Sequence, residues 1–283
     1  MTKRRIGNIL LALLAFGAVL LVMYGSSFLI SAASAVGGAF LLGPDGTDMI
    51  YNLLMDNLNL YSFLVYMVAL VMALLWYYFA FVAPVGIKVY TEESTKRITP
   101  VCFGWIALLA FALEHAASLI VAVVAAVAPQ AFENYESMVE SSGLSEYSVM
   151  WYFATLILPP LVEEIVFRGL ILNYLRRAGI GLILSIVIQA VLFGVYHGNL
   201  VQGVYAAILG IVLGYLAIRY NSLAAPMFMH FCFNLFGTVL VDLENRFLSE
   251  PVLMMFILQS IPLFVLAITM IQLRIGEKKK RRV

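Results

Sequence analysis

Residues 6–30 carry no charged side chain, and seven more apolar runs follow, near 60–83, 101–128, 148–175, 179–197, 200–218, 222–241 and 252–273. No other feature constrains the fold as strongly. A run of about 20 apolar residues crosses the hydrocarbon core of a bilayer as a helix. The expectation is an all-α, polytopic membrane helix bundle of about eight transmembrane helices. Composition agrees, since the chain is 63% hydrophobic and only 12% charged, against about 25% charge in a typical soluble domain. A net charge of +1 gives no sign of a nucleic-acid partner.

What informs is where the charges sit. Lys3, Arg4, Arg5, Lys88, Lys96, Arg97, Arg176, Arg177, Arg219, Arg274 and the Lys278–Arg282 tail fall on one side of an eight-span count. The opposite loops carry Asp45, Asp48, Asp56, Glu133, Glu136, Glu140, Glu146, Asp242, Glu244 and Glu250, with Arg246 as their one basic residue. Positive charge concentrates on the cytoplasmic side, so both termini are expected there, in a plasma membrane and, from the short N-terminus and compact loops, a bacterial one. The first run exceeds the 7–15 residues of a signal-peptide core, which favours a retained span over cleavage near Ala33-Ser34-Ala35.

The remaining features read as structural. Cys102 and Cys232 lie inside apolar runs and are expected to pack rather than to form a disulfide or bind metal. The basic tail is a stop-transfer flank for an anionic leaflet. Gly210 and Gly214 allow close helix approach, and the polar loop 129–147 is expected to form a short surface helix. The chain divides into a three-span accessory region (1–147), a four-span core (148–242) and a last span with its tail (243–283).

Against this background the polar residues within the spans stand out. They are Glu114 and His115 in the third, Glu163, Glu164 and Arg168 in the fourth, His197 closing the fifth, and His230 in the seventh. An ionised side chain at that depth costs roughly 2.5–3.5 kcal/mol, so the default reading is functional. Glu164 and Arg168 are spaced i, i+4 with the acid first, the favourable order for an ion pair. Glu163, about 100° away around the helix, is left without a partner in its own span. Pro159 and Pro160 remove two backbone donors just upstream and should break the helix, which lipid tolerates only beside protein or a wet cavity. His230 and Asn234 share one helix face, as do Phe193 and His197. The expected site is a hydrated pocket among the fourth, fifth and seventh spans. Counted from the cytoplasmic ends at 1.5 Å per residue, Glu163, His197 and His230 lie at depths of roughly 21, 27 and 13 Å. Helix tilt, the proline break and an interfacial segment near 170–178 would have to reconcile them.

A free carboxylate beside an imidazole can hold and deprotonate water, and a second imidazole with an amide can steady an oxyanion. No serine or cysteine is placed as a nucleophile. Two histidines and a glutamate also make a known zinc set, with Glu163, His197 and His230 as its ligands, although the His-Glu-x-x-His motif is absent.

Glu163-Glu164-x-x-x-Arg168, Phe193-x-x-x-His197 and His230-x-x-x-Asn234, in that order and each on its own span, resemble the three-motif signature of the CPBP intramembrane proteases. This is the type II CAAX prenyl endopeptidase family, with lysostaphin-resistance and bacteriocin-processing relatives. The resemblance covers residues 148–242. It implies an eight-span helical fold with a cavity within the membrane, in which Glu163 and His197 activate water. His230 and Asn234 would form the oxyanion hole, with Glu164 and Arg168 orienting and neutralising. Phe193 would support; Glu114 and His115, outside the resemblance, are expected either to line the pocket or to support it as hydrogen-bond partners. Arg168 beside the acids opposes a bound dication, so no cofactor is favoured, and a divalent metal such as zinc is the second choice. The implied partner is a membrane-bound or lipidated peptide or protein. The competing readings are a non-proteolytic scaffold or bacteriocin-immunity protein of the same fold, and an ion-coupled transporter, against which the lack of an internal repeat counts.

Overall fold

The computed structural model describes residues 2–43, 45–141 and 147–280, which are helical with no strand among them. In chain order the helices are α1 (Lys3–Ala33), α2 (Leu58–Val82), α3 (Ile87–Thr95), α4 (Pro100–Val127) and α5 (Pro129–Ser141). There follow α6, the interrupted run 149–177, α7 (Leu182–Tyr196), α8 (Leu200–Tyr220), α9 (Ala224–Phe247) and α10 (Glu250–Lys280). Two short helices, Ala39–Leu42 and Gly46–Met55, join α1 to α2. Among the described residues, six of these helices (α1, α2, α4, α8, α9 and α10) are long and apolar enough to cross a membrane. The protein is an integral membrane helix bundle.

The other two expected spans are helical but differ in form. In α6, Pro159 and Pro160 fall at the start of a short α-helical stretch, Leu158–Glu164. Wide π-helical turns flank it at Tyr152–Ile157 and Ile165–Ile171. A π-turn is the usual way for a helix to absorb a local break, and such turns gather at functional sites. α7 has 15 residues, about 22 Å at 1.5 Å per residue, which is shorter than a hydrocarbon core of about 30 Å. Gly179 and Gly198, both with positive φ (79° and 72°), stand outside its two ends. Its outer stripe of Ile183, Val187, Val191 and Val195 is exposed at the i, i+4 spacing of a lipid-facing surface.

α7 and α8 form a tightly packed hairpin. A Cβ on Gly194 would lie 2.5 Å from the Gly203 carbonyl oxygen, and one on Gly210 would lie 3.0 Å from Ala190 Cα. Gly210 and Gly214 therefore serve packing within the chain. α1 lays Ala12, Ala15 and Val19 into the core, where Phe16 meets Phe167 edge-on at 6.3 Å. Cys102 and Cys232 are buried free thiols. α5 is the surface helix expected in the 129–147 loop, while Glu146 lies outside the described residues. Lys278–Lys280 close α10; the side chains of the tail, with Arg281 and Arg282, are likewise outside them.

The segments grouped by charge meet in space. Arg177 Nη1 donates to the Ala80 carbonyl at 3.3 Å, Arg97 Nη1 to Arg219 at 2.9 Å, and Arg219 Nη2 to Gln272 at 3.1 Å. At the acidic end the Tyr147 hydroxyl donates to the Asp242 carboxylate. Glu244, counted above as a loop acid, is instead buried within α9.

Candidate active site

The wide turn after Glu164 does not disrupt its pairing with Arg168. Arg168 Nη1 donates to Glu164 Oε1 at 2.8 Å, and Nη2 to the Gly210 carbonyl at 3.3 Å. The Gly210 carbonyl also accepts from Gln189 Nε2 at 2.8 Å. Close approach of the α8 backbone, which glycine permits, thus supplies the second acceptor that the arginine needs. The guanidinium carbon lies 4.4 Å from the Phe193 ring centroid, a cation–π contact. Glu164 and Arg168 are 0% and 1% exposed, and buried charges need such partners; Glu164 Oε2 and Arg168 Nε have none among the described residues.

The same Glu164 oxygen accepts from His230 Nδ1 at 2.8 Å. With Arg168 holding Glu164 as a carboxylate acceptor, His230 must carry its proton on Nδ1. That turns Nε2 outward, 3.7 Å from Glu163 Oε2. The other Glu163 oxygen, Oε1, accepts from the Tyr66 hydroxyl of α2 at 3.2 Å. Glu163 and His230 are each 3% exposed, so one carboxylate and one imidazole face each other in a buried arrangement. A single water at hydrogen-bond distance could donate to both.

His197 follows the last residue of α7. Its Nδ1 bonds the Phe193 carbonyl at 2.8 Å; a carbonyl only accepts, so the proton is on Nδ1 and the lone pair on Nε2. Phe193 is the common wall, edge-on to His197 at 4.9 Å and to His230 at 5.7 Å. Asn234 Nδ2 donates to the Thr155 carbonyl in the π-turn before the prolines, at 3.1 Å. The depths counted along ideal helices do not keep these groups apart, because α7 starts late, at Leu182, and α6 is widened on both sides of its acids. The 170–178 segment is no interfacial strip: Leu172, Tyr174 and Leu175 are buried.

Two placements depart from expectation. His230 is the histidine paired with Glu163, 3.7 Å away, while among the described residues no ion pair joins His197 to that acid. Glu114 and His115 belong to a second cluster, where His115 Nδ1 lies 3.1 Å from Glu114 Oε2 and its Nε2 lies 3.3 Å from Glu244 Oε2. Tyr66 and Gln189 were missed altogether. Tyr66 looks like one more aromatic in an apolar run, whereas a buried amide at Gln189 was a usable signal. No group of three or more His, Cys, Asp or Glu among the described residues is arranged to hold a metal ion. Arg168 beside the acids opposes a bound dication, whereas the His230 Nδ1–Glu164 bond leaves Nε2 free, the arrangement a metal-ligating histidine also uses.

A recess enters from the basic end, lined by Tyr77 and Tyr90 on one side and Asn173, Asn221 and Ser222 on the other, and reaches Arg168.

The family model described as type II CAAX prenyl endopeptidase Rce1-like matches residues 145–236. Residues 145–236 are thus similar to the Rce1-like family of CAAX proteases. The match takes in all three motifs, from Glu163 to Asn234, and leaves Tyr66, Glu114, His115 and Glu244 outside it. Neither curated proteins nor solved structures give a match to the chain. The segment similar to this family lies inside a membrane helix bundle.

Proposed function

We propose that the protein is an intramembrane endopeptidase that hydrolyses a peptide bond of a membrane-associated or lipidated substrate with water activated by Glu163. The observation that carries this reading is the pair Glu163 Oε2 and His230 Nε2, 3.7 Å apart and both turned toward each other as acceptors. A water donating to both loses one proton to Glu163, and its oxygen adds to the substrate carbonyl carbon. The oxyanion is steadied by the amide hydrogen of Asn234 that Thr155 does not use. The C–N bond then breaks and the leaving amine takes the proton back from Glu163.

Glu164 and Arg168 act by orientation, since Glu164 fixes the His230 tautomer. His197 offers its Nε2 lone pair to the same pocket as an auxiliary acceptor. The reading is metal-free, with the Arg168 charge standing where a dication would be repelled. Both termini are cytoplasmic by charge distribution, and the recess that reaches Arg168 is lined from that end. Prenylated CAAX proteins, the substrates named for the matching family, are one candidate class; other lipidated or membrane peptides share the chemistry.

The test compares peptide termini in membranes and medium from cells expressing wild type or Glu163→Gln at matched levels. Termini seen with wild type alone support proteolysis and identify the substrate. Identical termini, with an unchanged phenotype, would replace this reading with a scaffold or immunity protein of the same fold.

A further inference from the structure

The segment that matches the family model ends its inventory at Asn234, yet one Glu163 oxygen is held from outside it. We propose that Tyr66, on α2, is a positioning residue for Glu163, so that the second helix completes the active site. This inference rests on the endopeptidase reading above.

A carboxylate rotates freely about its last bond, because terminal sp³–sp² torsions have broad, shallow wells. Glu163 has no partner in its own span. The Tyr66 hydroxyl donates its one proton to Oε1 at 3.2 Å, which leaves Oε2 as the oxygen turned to His230. The bond thereby selects which oxygen receives the water's proton and aims its lone pair.

The helix that brings Tyr66 is itself pinned on both sides of it. Three residues earlier, Phe63 meets Phe153 of α6 edge-on at 6.0 Å. Ten residues later, Trp76 Nε1 donates to the Tyr174 hydroxyl, also of α6, at 2.9 Å. Both anchors are on the helix that carries Glu163, so Tyr66 and its acceptor move as one body. The neighbouring Tyr61 hydroxyl is shared instead with Ser26 of α1 at 3.1 Å, which makes it a matched control on the same helix.

The experiment uses the full-length protein in liposomes. The infrared band of the Glu163 carboxyl is assigned as the one lost in Glu163→Gln. In Tyr66→Phe that band should move, because its oxygen loses a donor, while in Tyr61→Phe it should stay. On the peptide identified by the terminus comparison, Tyr66→Phe should lower kcat about 10- to 100-fold, the weight of one hydrogen bond to a charged group, with KM within about twofold, the pattern of an interaction that acts in the transition state. Tyr61→Phe should keep wild-type kinetics. An unmoved band overturns the contact, and a moved band with unchanged kcat overturns the positioning role. A band that moves in Tyr66→Phe, alongside a wild type that cleaves nothing, overturns the endopeptidase reading and the positioning role with it, while the contact stands.

Discussion

Arg168→Met is the most informative single substitution. It removes a guanidinium that is 1% exposed and holds Glu164 at 2.8 Å, leaving a 0%-exposed carboxylate with His230 as its remaining donor. Stripping one partner from a buried pair typically costs about 3–5 kcal/mol, because the charge left behind is uncompensated. At about 2–4 °C per kcal/mol for a chain of this size, the melting temperature should fall on the order of 10 °C. Replacing both partners, as Glu164→Leu with Arg168→Met, removes the stranded charge and should recover most of that loss. The double variant should nonetheless stay inactive, since His230 no longer has the acceptor that fixes its tautomer. Thermal unfolding of the three variants in one detergent, each paired with peptide cleavage, decides the matter. An Arg168→Met protein melting within about 2 °C of wild type would refute the claim that the pair is a desolvated clamp, and cleavage by the double variant would refute the orienting role.

Other outcomes follow from the same geometry. Gly194→Ala must push the α7–α8 backbones apart, because its Cβ would fall 2.5 Å from the Gly203 carbonyl oxygen; overpacking of this kind costs about 1–3 kcal/mol, readable as a lower melting temperature. His115→Ala separates buried Glu114 from Glu244 and should also destabilise, by about 1–3 kcal/mol. Its kcat should stay near wild type, since that cluster is distinct from the Glu163 pocket; a large loss in kcat would join the two.

The spacing of polar residues in apolar runs made the core of the site legible. Glu164 and Arg168 at i, i+4 pair as the helix period requires, and the isolation of Glu163 pointed outward to other spans. Which histidine would answer was not legible, because it depends on where α7 begins and on the two π-turns of α6. Hydropathy sees neither the Gly179 turn that shortens α7 nor the widening of a helix. Pro159 and Pro160 announced a break but not its shape. Tyr66 stayed hidden because tyrosine is ordinary in a span, and its role comes from a contact across 97 positions of sequence. Glu244 reads as a loop acid for a related reason: the helix that carries His230 and Asn234 runs on to Phe247, bringing that carboxylate back to His115.

The central claim, water activated by Glu163 without a metal, is met most directly by cleavage in liposomes containing only the purified protein and its identified peptide, after exhaustive chelation. Wild type should cleave at an undiminished rate, and Glu163→Gln should lose at least about 100-fold, the low end of the contribution of a general base. Cleavage that stops on chelation and returns with added zinc, or a Glu163→Gln protein that cleaves as wild type does, would contradict it.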